Sequence, residues 1–223
     1  MKQRHDIYAL VHKGLRAWTG QILVELGRLD AQDGAEIAEL VPRVRAWLVA
    51  ARDHLDHEER FIHPALEAAQ PGSTVQTLDE HEHHRAELAE LEAGIERLAA
   101  QPSHEAATQL YRALADHLAE TLAHMKLEES VNNAVLWAHY DDGQIAGVEA
   151  RLVGSIPPAQ MMAYLRHMIP AMAPLERVAL LGGMQRALPW TAFGAILGEL
   201  KPGLSARDWF KLMLGLGPMP VSA

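Results

Sequence analysis

The chain has 223 residues, of which 49% are hydrophobic and 22% charged, enough for one large domain or a domain with an extension. It contains no cysteine, which excludes disulfides, thiolate metal ligands, iron–sulfur clusters and cysteine nucleophiles. Any metal must therefore be held by histidine and carboxylate, a ligand set that suits iron, manganese, zinc or copper.

The net charge of −9 is unevenly distributed. Residues 1–140 carry 13 Lys and Arg against 23 Asp and Glu, whereas residues 141–223 carry 7 against 6. Neither part has the basic face that binding to a phosphate backbone needs, so we predict no nucleic-acid partner. Because no signal-peptide run and no stretch of about 18 apolar residues occurs, we also expect no membrane partner and a cytoplasmic location.

Apolar periodicity predicts four long helices before residue 141, which favours an all-α fold with an up-down-up-down four-helix bundle. Asp33 and Ser103 are the predicted N-caps of the second and fourth helices, and Asp33 with Glu36 resembles a capping box. Pro64 is expected to bend the second helix. The predicted helices run approximately over residues 3–29, 33–69, 75–100 and 103–140.

Two of these helices carry an apolar stripe interrupted by His and Glu four residues apart. The pair is His54 and Glu58 in the second helix, and His124 and Glu128 in the fourth, where Glu129 follows. An ionised carboxylate in a helical core costs several kcal/mol unless it is paired or bound to a metal. Two such pairs on two helices are the half-sites of a dinuclear metal centre inside a bundle.

The two halves of the bundle also look like a repeat. His12 precedes His54 by 42 residues, and His81 precedes His124 by 43 residues. We therefore predict one site for two ions, with coordination positions left open for water, dioxygen or another small ligand. Its predicted ligands are His12, His54, His81, His84, His124, Glu58 and Glu128, with Glu129 as the competitor of Glu128 for the position between the ions.

The other histidines before residue 141 receive other interpretations. Three turn away from the stripes and are expected at the surface: His57, His63 and His83. Two lie on a stripe but about 10 Å along the helix axis from the nearest predicted ligand, and are expected as polar core residues: His5 and His117. Tyr8 and Thr121, one turn from predicted ligands, either line the open coordination position or pack in the core.

Residues 141–223 are predicted to form short helices that Pro and Gly start and stop, and they hold seven of the nine Met residues. We interpret them as a Met-rich helical extension that packs on the bundle or on a second copy of the chain. A regulatory docking surface is the alternative. The predicted domains are thus residues 1–140 and 141–223, with the second as the surface for any homo-oligomer.

Four segments of residues 1–140 contain the His and Glu residues discussed above: RHDIYALVHKGLR, HLDHEERFIHPALEA, DEHEHHRAEL and HMKLEESVNNAVLWAHY. Through these segments the chain resembles a hemerythrin-like (HHE cation-binding) domain of the bacterial type with a C-terminal helical extension. This resemblance implies an oxo- or hydroxo-bridged di-iron site that binds dioxygen or senses oxygen, nitric oxide, redox state or iron. The implied terminal ligands are His12, His54, His81, His84 and His124, and the implied bridging carboxylates are Glu58 and either Glu128 or Glu129.

This chain departs from the oxygen carriers of that family in two places. The pair His81 and His84 is spaced by three residues, where the carriers have four. The last carboxylate is Glu, where the carriers have Asp five residues after the His; Glu129 keeps that spacing and Glu128 does not.

Three functions are compatible with these residues. The first is a sensor or small-ligand carrier with two iron ions, for which zinc or manganese could substitute. The second is a di-iron enzyme such as a peroxidase, an oxidase or a nitric oxide-handling catalyst. It ranks lower because carboxylate-rich sites favour oxygen activation and this site is rich in histidine. The third is an interaction protein in which a metal, such as zinc, serves only to stabilise the fold.

Overall fold

A computed structural model describes residues 4–217, and within them the chain is helical and forms no strand. Two π-helical turns, Glu58–Ile62 and Glu128–Asn132, interrupt the long helices, and a 3₁₀ turn covers Lys201–Gly203. The α-helices are α1 (Ala9–Gly27), α2 (Gly34–His57), α3 (His63–Ala69), α4 (Val75–Ala100), α5 (His104–Leu127), α6 (Asn133–His139), α7 (Asp142–Ser155), α8 (Pro158–Ala171), α9 (Pro174–Ala187), α10 (Trp190–Leu200) and α11 (Ala206–Leu216).

The first four long segments form the predicted up-down-up-down bundle. α1 packs against α2 and α5, and α4 packs against the same two helices, so the four close into a ring. α3 and α6 continue α2 and α5 beyond the π turns and pack on each other. One end of the bundle is filled by apolar side chains that include Trp47, Leu48, Leu91, Ile95 and Leu98, all at most 2% exposed. This apolar end leaves the polar residues of the stripes at mid-depth.

The first helix begins later than its apolar pattern predicts. Its predicted start, Gln3, lies outside the described residues, and α1 begins at Ala9. Asp6 accepts hydrogen bonds from the backbone N–H groups of Tyr8 and Ala9, which satisfies donors that the first turn leaves free. The segment before Ala9 is therefore a cap, not a helical turn.

The predicted caps of α2 and α5 are confirmed. Asp33 accepts from backbone N–H groups of the first turn of α2, and Ser103 does the same for α5. The capping box is wrong, because the carboxylate of Glu36 accepts from the N–H of Asp30 and not from Asp33.

The second predicted helix is interrupted before Pro64, the residue that was expected to bend it. The π turn Glu58–Ile62 precedes α3, and Pro64 occupies the first turn of α3, where its missing N–H is tolerated. The second π turn, Glu128–Asn132, has no proline after it before Tyr140. Proline is therefore not what creates these turns.

The helices after residue 141 lie against the first half of the bundle. α8 packs on α1 and α2, and α7 packs on the first π turn. Two contacts fix α8: the ring of His167 stacks on Trp18 with centroids 3.7 Å apart, and the Tyr164 hydroxyl donates to the carbonyl of Ala50 at 2.9 Å. α8 to α11 share an apolar cluster of their own around Phe193.

None of the helices between residues 4 and 217 combines the length and the apolar character needed to cross a membrane.

Candidate metal centre

Six of the predicted ligands converge at mid-depth in the bundle. They form two groups in which one ligand atom from each residue lies within 4.8 Å of the others, and every member is buried. The groups share Glu58 and Glu128, which is the placement expected of carboxylates between two ions. The two groups are His12, His54, Glu58 and Glu128, and Glu58, His81, His124 and Glu128.

The imidazole Nε2 atoms surround the two shared carboxylates at similar distances. His54 Nε2 lies 3.3 Å from Glu58 Oε1, and His124 Nε2 lies 3.4 Å from Glu128 Oε2. His81 Nε2 lies 3.4 Å from Glu58 Oε2 and 3.1 Å from His124 Nε2. His12 Nε2 is 3.6 Å from Glu58 and 3.4 Å from Glu128. Four imidazoles and two carboxylates thus point at one small volume.

Most of these inward atoms have no hydrogen-bond partner among the described residues. Both carboxylate oxygens of Glu58, both of Glu128, and Nε2 of His12 and of His54 are buried and unpartnered. Buried polar groups are nearly always hydrogen-bonded, because an unpartnered one costs roughly 1–3 kcal/mol, and more when it is charged. The residues therefore fit metal ions, which would accept lone pairs from all six atoms.

The outer nitrogen of His12 is held by a carboxylate. Its Nδ1 lies 3.0 Å from Glu129 Oε1, and Arg16 donates to the same oxygen at 2.7 Å. A hydrogen bond from Nδ1–H to a carboxylate fixes the tautomer and leaves the Nε2 lone pair facing inward, as metal-binding histidines require. In this structure Glu128 faces the cluster, and Glu129 supports His12 from behind.

The same arrangement recurs in the second half of the bundle. His81 Nδ1 lies 3.0 Å from Glu59, and Arg85 donates to that carboxylate at 2.8 Å. His124 Nδ1 lies 2.7 Å from Glu80. The two inner Glu residues are each followed by a Glu that supports a histidine from the opposite half.

The electrostatics of the metal-free cluster show its demand for positive charge. Burial lowers the pKa of His81, but Glu128 and Glu58 outweigh burial and raise this pKa to about 10. The pKa of His12 is also raised well above its ordinary value, against the effect of burial. At His54 burial dominates and lowers the pKa to about 4. The two carboxylates therefore favour positive charge in the space between them.

Both π turns begin at an inner carboxylate, Glu58 or Glu128. A π turn inserts one residue into the helix, and such turns are frequent at functional sites. The insertion makes the prediction for His63 wrong: this residue was expected at the surface but is 4% exposed. With the extra residue accommodated, His63 follows Glu58 as if by four helical positions, and its ring stacks on His81 with centroids 5.2 Å apart.

His84 lies beside the two groups and not within them. Its ring centroid is 5.1 Å from that of His124. Its Nδ1 lies 3.0 Å from Glu87, and its Nε2 is buried without a partner. This is the hydrogen-bonding pattern of His12. His117 Nδ1 lies 2.8 Å from the same carboxylate, so His117 is buried as expected and belongs to this neighbouring cluster.

The remaining polar residues occupy various positions around the site. His83 is exposed as expected, and His57 is half-buried. His5 precedes α1 and lies 2.9 Å from Glu149 of α7, so it is not the core residue expected. Tyr8 is fully buried beside His12, whereas Thr121 lies 3.3 Å from His117 Nε2.

The supporting carboxylates are the residues that sequence reasoning missed as a group. Glu59, Glu80 and Glu87 lie off the apolar stripes and resemble ordinary surface residues. One signal was present: each His-x-x-x-Glu pair is followed by a second Glu, so that Glu58-Glu59 matches Glu128-Glu129.

Comparison with known proteins gives one family. The family described as the hemerythrin HHE cation binding domain matches residues 5–136, more than half of the chain. No curated protein and no solved structure matches significantly. The matched range contains every residue of the two ligand groups, together with His84 and Glu129.

Proposed function

Because the chain belongs to the hemerythrin HHE cation-binding family, we propose that its bundle holds two iron ions between Glu58 and Glu128. The observation that carries this proposal is the convergence of six buried, unpartnered oxygen and nitrogen atoms on one volume. Two buried carboxylates without positive charge between them would be costly, and cations held by both would offset that cost.

The two sides of the proposed centre have different ligands. His12 and His54 belong to one side, and His81 and His124 to the other. His84 is the natural fifth imidazole, because its Nε2 is free and its ring is next to His124. The side with two imidazoles is thus the one with an open position.

Bound there, iron would supply a redox couple and an open coordination position for dioxygen or nitric oxide. The chain's own residues prepare that side. Tyr8 is fully buried, and its hydroxyl has no partner among the described residues, so it can donate a hydrogen bond to a small ligand. The apolar side chains around the site exclude bulk water, which protects a reactive centre.

These features favour a protein that binds or senses dioxygen, nitric oxide, redox state or iron. The ligand set contains more histidines than carboxylates, whereas sites that activate oxygen for catalysis are rich in carboxylate.

The decisive test is metal analysis with an optical spectrum on protein from iron-supplied cells. We expect about two irons per chain and the absorption of a bridged diferric centre. After reduction this absorption should disappear, and addition of nitric oxide should produce a new one. His54→Ala should lose iron, and His139→Ala, which alters an exposed histidine, is the matched control. Wild-type protein without iron, or an unchanged iron content in His54→Ala, would contradict the proposal.

Two alternatives give other results in the same preparation. A di-iron enzyme would consume peroxide or nitric oxide over many turnovers. A metal-stapled interaction protein would fold and behave identically when zinc replaces iron. Absence of turnover together with a ligand-dependent spectrum would separate a sensor or carrier from both.

A further inference from the structure

A large cavity lies between the bundle and the helices that follow it. Its volume is about 220 Å³, and its walls come from α1, α2, the first π turn, α7, α8 and α9. Close-packed protein interiors contain few voids larger than a water molecule, and an apolar cavity of about 150 Å³ is large enough to bind benzene. A void of this size is therefore large enough for an organic ligand.

The walls of the cavity are apolar and adaptable. Three methionines from α8 and α9 line it, together with leucine, isoleucine and valine side chains. Methionine has three rotatable bonds and a polarisable sulfur, so such a wall can adjust to the outline of a guest molecule. The methionines are Met161, Met168 and Met184. Val153 of α7 also lines the cavity and is 46% exposed, so the cavity reaches the surface there.

One part of the cavity wall is polar and belongs to the metal centre. The lining includes Tyr8, His54 and Glu58. The hydroxyl of Tyr8 is buried and unpartnered among the described residues, so one hydrogen-bonding atom at this end is free to bind a polar group. Glu58 and a second lining carboxylate, Glu149, make the cavity unfavourable for an anion.

We propose that this cavity binds a neutral, mostly apolar molecule of roughly ten non-hydrogen atoms, with one hydroxyl or carbonyl group at Tyr8. The size follows from the volume, the apolar body from the walls, and the lack of charge from the two carboxylates. The proposal goes beyond iron and gas binding, because half of the lining residues belong to α7, α8 and α9, which lie after the family match at residues 5–136.

Two probes of equal chain length test the proposal: 1-octanol and octanoate. Isothermal titration calorimetry is performed on metal-free and on iron-loaded full-length protein. We expect one saturable site for 1-octanol in both forms and, in the metal-free form, at least tenfold weaker binding of octanoate. No saturable binding of octanol, or octanoate binding to the metal-free form as tightly as octanol, would overturn the proposal.

A matched pair of variants on α9 locates the site. Leu180→Trp fills the cavity from its wall and should weaken octanol binding at least tenfold. Leu175→Trp makes the same change at a residue that is 84% exposed and should bind octanol as the wild type does. Equal affinities in Leu180→Trp and wild type would overturn the assignment of the site.

Two further variants test the site in case Leu180→Trp does not fold. Val153→Trp fills the cavity from its partly exposed edge, with circular dichroism as the check on folding, and should weaken octanol binding several-fold. Tyr8→Phe should weaken octanol binding three- to tenfold, because it removes the hydroxyl alone. Unchanged affinity in both variants would overturn the proposed position of the ligand.

These results are independent of the proposed function. Octanol binding by a protein that takes up no iron in iron-supplied cells would overturn the di-iron proposal and leave the cavity proposal standing. Two irons per chain without octanol binding would do the reverse.

Discussion

The two halves of the bundle share the parts that would hold metal. α2 begins at Gly34 and α5 at His104, and the same offset separates their π turns and the short helices α3 and α6. The hydrogen bonds at the outer nitrogens match as well. Glu129, which accepts from Arg16, lies at Nδ1 of His12, and Glu59, which accepts from Arg85, lies at Nδ1 of His81. The ligand core is therefore close to two-fold symmetric.

The surroundings of the core are not symmetric. His84, three residues after His81, corresponds to Leu15, three residues after His12. Tyr8 precedes His12 by four residues, and the corresponding residue of the second half is Thr77, whose hydroxyl bonds to a backbone carbonyl. Among the described residues, α8 packs on α1 and α2, and every bundle residue that lines the cavity belongs to the first half. A symmetric set of ligands thus has two different environments: an extra histidine on one side and a tyrosine with a cavity on the other.

The largest expected effect comes from removing a carboxylate that both halves share. Glu58→Ala and Glu128→Ala should each lose most of both irons, because each residue belongs to both ligand groups. Since metal binding contributes to folding free energy, the free energy of unfolding should fall by at least ~3 kcal/mol. Metal analysis and chemical denaturation of each variant measure this. Retention of two irons in either would show that the carboxylate does not bridge.

A substitution that removes the asymmetry should have the next largest effect. His84→Leu gives the second half the residue that the first half has at Leu15. We expect the iron on the His81 side to bind at least tenfold more weakly, because it loses its third imidazole. Competition with a chelator measures the affinity of each iron. Equal affinities in the variant and the wild type would make His84 a neighbour of the centre and not a ligand.

Substitution of the supporting carboxylates tests the symmetry itself. Glu129→Gln and Glu59→Gln keep the shape of the side chain and weaken its hold on His12 or His81. Loss of such a support typically lowers metal affinity about 10- to 100-fold. The two variants should give similar losses in the chelator competition. A large difference between the two losses would show that the carboxylates occupy equivalent positions but contribute unequally to metal affinity.

The smallest effect concerns the packing that only the first half receives. Burial, with a lesser contribution from Arg166, lowers the pKa of His167 to about 4. Below its unfolded pKa of about 6.5, the unfolded chain takes up a proton that the folded chain resists, so stability is lost as pH falls from about 6.5 towards 4. We expect roughly 1–2 kcal/mol, given the partial exposure of the ring.

His167→Phe keeps the stacking on Trp18 and removes the proton site. Urea denaturation at pH 7.5 and pH 5 should show a smaller difference in unfolding free energy for His167→Phe than for the wild type. His104→Phe, at an exposed position of α5, is the control and should keep the full difference. An unchanged difference in His167→Phe would assign the acid sensitivity to other groups.

The sequence was sufficient to predict the bundle and the placement of each His-x-x-x-Glu pair on one helix face, because both depend on local periodicity. Four-residue spacing on a helix places His54 beside Glu58 whatever the rest of the fold does. The prediction from periodicity was wrong after Glu58, where the helix contains a π turn and no longer has 3.6 residues per turn. His63 was assigned to the surface because a π turn is not visible in a pattern read at 3.6 residues per turn.

The other omissions involve residues far apart in the chain. Glu129 supports His12 across 117 residues, and Glu80 supports His124 across 44. Such pairs depend on the relative positions of packed helices, which helical spacing does not contain. The cavity was missed for the same reason, since its walls combine α1 and α2 with α7 to α9.

The carboxylates that hold His12 and His81 each come from the other half of the bundle, and this ties the two halves together. The carboxylate behind His12 is on the second half, and the carboxylate behind His81 is on the first. Each half therefore lacks one component that the other provides. A cut before α4 would separate His12 from the carboxylate that holds its Nδ1, so an intact cluster requires both halves together.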